Sequence, residues 1–548
     1  MAGGAAAAGL VLPARVVAGL RRSVLLSRFV LDNGTKPFAG DRTLLTTLSP
    51  GGARGRERAT VGFELGEAAT VELAVLDRNA PGEQSLPAEQ QVAGTAAGAV
   101  DSTVYHLQAG PQELAWEPPS GLAPGTYTLT VTATDATGRK AIVGRRGPKH
   151  PKLPQGPVVR VLGLDGSFTE RSYAPGDQAT LVLAADADEV TVQVFQSGPE
   201  PVPTYANNVL NGVPVTGVTP VDWRANLDNP APIAVPIDPA WASGVYYARI
   251  ESGGRYGYAP FVVRPSAPAT RVAVVIPTTT WQAYNFYDAD GDGLGDSWYV
   301  WWQNRTVAPN RPYLRRGIPY RYRSYDLSFL HWLSQTGKQV DFYADDDLET
   351  FAAGDDLKGA YDLVVFPGHT EYVTTHVYDV VQRYRDLGGS LMFLSANNFF
   401  RRVDRTDRGF TLVDLWRDLG RPEAALLGVQ YAGSDRGTHQ APFVVTADGA
   451  SSFVFADTGL GEGATFGLYG IEVDATTAAT PPGAVVLAQI PNALGKAGLT
   501  AQMTYYETSA GAKVFSAGAL NFGGQIGLWP QTMQLLDNVW ARLAPESA

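Results

Sequence analysis

The chain has 548 residues, too many for one hydrophobic core, and about three or four domains are expected. Apolar residues make up 45% and charged residues 18% of it, which excludes a disordered chain. A net charge of −11, with no basic run beside an aromatic platform, excludes nucleic acid as a partner; the absence of cysteine excludes disulfides, thiolate metal sites and thiolate catalysis.

In chain order, Gly3-Gly4-Ala5-Ala6-Ala7-Ala8-Gly9-Leu10-Val11-Leu12-Pro13-Ala14 has the weakly hydrophobic core and small-residue end of a bacterial export signal, without its charged start. Residues 1–23 are therefore expected to be the remnant of an export signal, which makes the protein secreted or extracytoplasmic, or else a disordered tail, which leaves the cytoplasm open. No run of about 20 apolar residues follows, so no membrane span is expected.

The next segments repeat. Val71-Glu72-Leu73-Ala74-Val75 and Val190-Thr191-Val192-Gln193-Val194 both alternate apolar and polar, each preceded by an Ala-Thr step at Ala59 and Ala179. Gly125-Thr126-Tyr127 and Gly244-Val245-Tyr246 follow at intervals that agree to within one residue. Period-2 strands between Gly/Pro turns predict two β-sandwiches, over residues 24–146 and 155–265, joined by a Pro- and Lys-rich linker at 147–157. Both are similar to immunoglobulin-like or fibronectin-like modules of bacterial extracellular proteins, serving as scaffold or spacer.

Pro265-Ser266-Ala267-Pro268 marks a change of rhythm. Val272-Ala273-Val274-Val275-Ile276 is a continuous apolar run, as expected of a strand buried on both faces. A helix is expected around Phe329 to Leu333, then strands at Val340 and Leu363. A further helix opens at Thr374 or Thr375, carries Val377, Val380, Val381, Tyr384 and Leu387 on one face, and stops at Gly388-Gly389. Leu391-Met392-Phe393-Leu394, Val514-Phe515-Ser516 and a helix around Leu535 to Leu543 complete an α/β three-layer domain with a mostly parallel sheet over residues 268–548.

Gly368-His369-Thr370-Glu371-Tyr372 stands at the end of the apolar run Leu363-Val364-Val365-Phe366-Pro367, where open α/β sheets place ligands. With Thr280-Trp281-Gln282-Ala283-Tyr284-Asn285, Arg311-Pro312-Tyr313, Phe329-Leu330-His331-Trp332-Leu333, Ser395-Ala396-Asn397-Asn398 and Tyr506-Glu507, it makes an ordered set. In that set the domain resembles the C-terminal domain of the large (β) subunit of N,N-dimethylformamidase, whose fold is glutamine-amidotransferase-like.

The resemblance implies an amide hydrolase with one iron held by two tyrosines and a glutamate. Carried over, the ligands are Tyr284, Tyr313 and Glu371, with Tyr325 the alternative to Tyr313. Glu507 would act as general base, and His369 and Asn397 would stabilise the developing oxyanion. Phenolate and carboxylate are hard donors that suit ferric iron, and three protein ligands leave room for water and a carbonyl oxygen. Each residue also has a plainer role open to it: Tyr284 in an aromatic wall with Trp281, Glu371 at a helix N-terminus, Asn397 in a turn. The resemblance also implies a separate small subunit, and a homo-oligomer is an alternative assembly.

The chain departs from the family at Thr370 and Val373 and in an acidic insert, Asp288-Ala289-Asp290-Gly291-Asp292-Gly293-Leu294-Gly295-Asp296. The expected substrate is therefore a small or N-substituted amide, with dimethylformamide itself a weak or absent substrate. Asp288, Asp290, Asp292 and Asp296 have the spacing that opens an EF-hand-type loop, a candidate calcium site, although Tyr299 stands where the bidentate Glu would be. The competing function is a non-enzymatic extracellular binding or scaffold protein with a degenerate amidotransferase-like domain.

Overall fold

The computed structural model describes residues 24–32, 46–50, 56–77, 99–119, 121–143, 157–202, 204, 209–227, 229–289, 295–299, 306–435 and 437–545. The export-like segment, nearly all of the linker, and Asp290 and Asp292 of the acidic insert lie outside these residues. The protein is multidomain and rich in β-structure, with seven sheets among the described residues.

The first two sheets share one core. Leu26–Asp32, Ala59–Leu65 and Gly110–Trp116 form a three-stranded sheet, and Gly125–Asp135 pairs antiparallel with Ala69–Asp77 in a six-stranded one. Alternate residues of Ala59–Leu65 are buried, as the period-2 pattern requires, and Val61, Leu73 and Leu129 meet inside. Val158–Val161 completes this sheet by pairing with Gly125–Asp135, although the sequence pattern assigns it to the following module. The second pair of sheets repeats the plan, with Glu189–Ser197 against Gly244–Ser252 and a core that includes Leu181, Val192 and Phe261.

The outer face of the second pair is also buried. Phe195, Val245, Tyr247, Tyr258 and Val262 belong to the same apolar cluster as strands and helices of the α/β region. A large apolar side chain contributes roughly 1.5–3 kcal/mol when fully buried, so these two regions are held together by a common core. Arg171 adds a buried polar tie, with Nη2 at 2.6 Å from Asp346 and Nη1 donating to the hydroxyls of Thr278 and Thr279.

The α/β region is built on a nine-stranded sheet. Its strands in chain order are β1 (Val272–Ile276), β2 (Asp341–Ala344), β3 (Leu363–Phe366), β4 (Ser390–Phe393), β5 (Ala441–Val445), β6 (Thr465–Tyr469), β7 (Val485–Pro491), β8 (Thr500–Glu507) and β9 (Lys513–Ser516). They lie in the order β2-β1-β3-β4-β9-β8-β7-β5-β6. The half from β2 to β9 is parallel, as the continuous apolar runs predict, and the half from β9 to β6 is antiparallel. The expected mostly parallel sheet is thus a mixed one.

Successive residues of the parallel strands feed two cores. Val274, Val365 and Met392 face helices α2 (Ser328–Thr336) and α4 (Pro530–Leu543), whereas Val275, Val364 and Leu391 face α3 (Thr375–Asp386). Helix α3 starts where Thr374 accepts a hydrogen bond from the Val377 N–H. It ends before Gly388, whose φ of 89° few other residues adopt without strain.

Candidate active site

Loops leaving the C-terminal ends of β1, β3 and β4 converge. The outgoing connections of β1 and β3 run to opposite sides, the arrangement that opens a crevice in α/β sheets. After β1 a short helix, α1 (Thr278–Ala283), places Tyr284 at its C-terminal end. After β3, Gly368 lets the chain turn tightly: a Cβ there would lie 2.0 Å from Asp326 Oδ1. The next residues are His369 and Glu371, both almost fully buried. The Glu371 N–H donates to Thr280 Oγ1 at 3.0 Å, which locks the loop to α1.

The hydroxyl of Tyr284 donates to Glu371 Oε2 at 2.8 Å. Tyr299 donates to the same oxygen at 3.1 Å, contacts the Tyr372 hydroxyl, and stacks on Tyr284 with ring centroids 4.4 Å apart. Burial raises Glu371 above the usual carboxylate range against the pull of these hydrogen bonds, and raises the phenols of Tyr284 and Tyr299 well above theirs.

His369 Nε2 lies 3.5 Å from Glu371 Oε2 and 3.7 Å from Glu472 Oε2, with no hydrogen-bond partner. Burial lowers the ring to about 3, against a hydrogen bond with the Asn397 backbone, so it is neutral at ordinary pH. With the ring N–H given to that backbone, Nε2 presents a lone pair to the cavity. Asn397, after β4, has φ 56° and donates from Nδ2 to Glu472 Oε2 at 2.8 Å. Its own N–H is held by Asp474 Oδ1 at 2.9 Å.

Tyr325 enters on a π-helical turn, Arg323–Leu327, directly before α2. Such turns bulge a helix and re-aim its side chains. The next residue, Asp326, accepts from Trp281 Nε1 at 3.3 Å through Oδ2, and burial pushes its carboxyl up to about 8. Together Tyr284, Tyr325, Asp326, His369 and Glu472 line a cavity of about 40 Å³.

The structure therefore brings Tyr284, Glu371, His369 and Asn397 together, and of the two alternatives for the second tyrosine it is Tyr325 that lines the cavity. Tyr313 is not among the lining residues and instead packs edge-on against Trp281 at 6.4 Å. Glu507 is not brought to the site. It ends β8 in a half-exposed position, where Arg542 Nη2 reaches it at 2.7 Å and the Tyr505 hydroxyl donates to it. The Tyr505 and Arg542 hydrogen bonds hold its carboxyl below the usual range, the reverse of what a general base near neutral pH needs.

Asp288 lies at the buried edge of the acidic insert, its carbonyl accepting from Arg160 Nη2 at 2.7 Å, and Asp296 Oδ2 accepts the Ala289 N–H at 2.8 Å. Two site residues, Glu472 and Tyr299, carry little signal in the sequence. Glu472 sits in a short strand, Glu472–Ala475, with no motif around it, and Tyr299 stands out only as a break in the calcium pattern.

The donor set is rich in hard oxygen. Glu371 and Glu472 lie near the orphaned His369 Nε2, the Tyr284 hydroxyl is bonded to Glu371 and Tyr325 lines the same cavity; carboxylate and phenolate are the donors that suit a highly charged cation such as ferric iron.

A family model described as "N,N-dimethylformamidase beta subunit-like, C-terminal" matches residues 191–534. The match begins inside the second pair of sheets, earlier than the α/β boundary, in keeping with the core those regions share. The N,N-dimethylformamidase beta subunits of Paracoccus aminophilus and of an Alcaligenes species are 29% and 28% identical over 182 residues, 32% of this chain. The chain covers 23% of the length of each of these relatives. Among solved structures, the mmIFT52 N-terminal domain aligns at 13% identity over 38% of this chain and 86% of that one, with a TM-score of 0.25 that carries no argument.

Proposed function

Because the chain belongs to the N,N-dimethylformamidase beta subunit-like, C-terminal family, we propose that its α/β region hydrolyses the C–N bond of a small or N-substituted amide. One observation carries this reading: Tyr284, His369 and Glu472 line one small cavity, and Glu371 holds the Tyr284 hydroxyl at 2.8 Å beside it. Tyr284, Glu371 and Tyr325 would hold a ferric ion; when bound, it supplies Lewis-acid polarisation of the carbonyl and acidifies water.

The chain's own groups do the rest. Water adds to the carbonyl carbon, the C–N bond breaks, and a carboxylic acid and an amine leave. His369 Nε2 accepts a hydrogen bond from the attacking water and orients it. Glu472 takes the water proton and returns it to the departing amine. Asn397 fixes Glu472 through its 2.8 Å hydrogen bond, so that little reorganisation is needed. Trp281, Tyr320 and Leu520 give the cavity apolar walls.

Both named relatives are beta subunits, and a second subunit or self-association is proposed for this chain as well. The test of function is amine release from a panel of formamides and acetamides, together with metal analysis. About one iron per chain, with tyrosinate-to-iron absorption, and turnover of at least one amide are expected. An iron-free protein inert towards the whole panel would overturn the reading.

A further inference from the structure

The small cavity shares part of its wall with a second, much larger one. Arg321 and Ile471 line both, so they stand between an inner chamber of about 40 Å³ and an outer chamber of about 500 Å³. A single water needs roughly 10–15 Å³ on the same measure, so the inner chamber admits an amide group and little else. The outer one falls within the roughly 300–1,000 Å³ of pockets that hold whole organic ligands. A one- or two-carbon amide would leave it to solvent.

The two chambers differ in charge. The inner carries Glu472 and Asp326 beside the shared Arg321. The outer carries Arg321 and Arg323, with His331 held towards its neutral form by burial, and no carboxylate is among its described lining residues. This is a basic pocket on a chain of net charge −11. Glu200 stands behind His331, at 3.3 Å from Nε2, and its other oxygen accepts the Gly198 N–H at 2.5 Å. The amide Nδ2 of Asn521 adds polar lining, already turned towards Gln440 Oε1 at 3.1 Å.

Arg321 is held in place before any ligand arrives. Its backbone sits at φ 53°, its Nε donates to the Tyr320 hydroxyl at 2.8 Å, and its guanidinium lies over the rings of Tyr320 and Tyr325 at 5.4 and 5.8 Å. It is also hydrogen-bonded to Tyr325, and a planar cation fixed in this way in the wall of both chambers keeps its orientation, as bidentate recognition of a carboxylate requires. A preset donor also lowers the ordering cost of binding.

We propose that the outer chamber is a substrate subsite for an anionic group, so that the amide cleaved in the inner chamber carries a carboxylate remote from its C–N bond. The inference rests on the hydrolase reading for the words "amide cleaved", and on the chambers alone for the anionic subsite. For acetamidohexanoate, water would add to the acetyl carbon and the C–N bond would break, releasing acetate and aminohexanoate.

The test separates the two. Binding of acetamidohexanoate, of neutral N-hexylacetamide and of a trimethylammonium analogue is measured by calorimetry on the intact protein, on Arg323→Gln and on Arg321→Gln, with amine release followed in parallel. The carboxylate is expected to bind about tenfold more tightly than the other two, with a preference that weakens as salt rises and is largely lost in Arg323→Gln. Arg323→Gln leaves the strained backbone at Arg321 untouched, so the test does not depend on the folding of Arg321→Gln. Equal binding of all three probes, a carboxylate preference that survives in both variants, or no binding at millimolar concentration would overturn the subsite. Selective carboxylate binding without amine release from any amide would keep the subsite and remove the hydrolase. Turnover of small amides without carboxylate preference would do the reverse.

Discussion

Asn397 Nδ2 donates to Glu472 Oε2 at 2.8 Å, although 75 residues separate them in the chain. The bond orients a carboxylate that both lines the inner cavity and lies 3.7 Å from His369.

Glu472→Gln keeps shape and loses the base, so amine release should fall by roughly 10²–10⁴-fold with folding unchanged. Glu507→Gln should stay within about twofold of the unaltered protein, since that side chain serves Tyr505 and Arg542 at the surface. Parallel rate measurements decide it; the opposite ranking would return the base to Glu507.

Phenol-to-phenyl changes separate the tyrosines. Tyr284→Phe and Tyr325→Phe should each lose iron and its visible absorption, because each removes an oxygen donor at the cavity. Tyr313→Phe should keep both, since its ring packs against Trp281 instead. Metal analysis beside circular dichroism checks this; full iron in Tyr325→Phe would remove that residue from the ligand set.

Arg171→Ala should destabilise the protein by about 3–5 kcal/mol in urea unfolding, because it strands Asp345 and Asp346 beside the start of α1. Since α1 carries Tyr284, iron affinity should fall with it. A change under about 1 kcal/mol would show that the shared apolar core alone joins the two regions.

Asp165 lies buried near Arg160 and Asp186, and burial, with the Asp186 charge second, pushes its carboxyl up to about 7 from an ordinary 3.8. A carboxyl raised on folding favours the native state when protonated. Its contribution is complete below about pH 4 and is lost as pH rises through about 7. A tenfold change in proton affinity between unfolded and native chains is worth about 1.4 kcal/mol, so the fall amounts to a few kcal/mol at most. Thermal unfolding between pH 5 and 8 should show a decline in Tm that Asp165→Asn flattens. Parallel pH profiles in the two proteins would rule out this assignment.

What the sequence by itself determined is local. Alternation in Ala59–Leu65 and in Gln178–Ala185 requires strands with one buried face, and the unbroken apolar runs of β1 and β3 require strands covered on both. The Gly368-His369-Thr370-Glu371 turn marked the end of β3 as a site because loop and strand are adjacent in the chain. Tertiary structure decided the rest. Glu472 reaches His369 only because its strand, Glu472–Ala475, is folded across the open end of the sheet, and nothing near Glu472 in sequence marks it. Tyr325 lines the cavity because a π-turn re-aims it, whereas Tyr313, in the more conspicuous motif, lies against Trp281. The antiparallel half of the sheet carries Glu507 to the surface beside Arg542. Side-chain periodicity specifies which face of an element is buried. Which distant element then covers that face depends on strand order and on free-energy differences spread over the whole core, which no short segment contains.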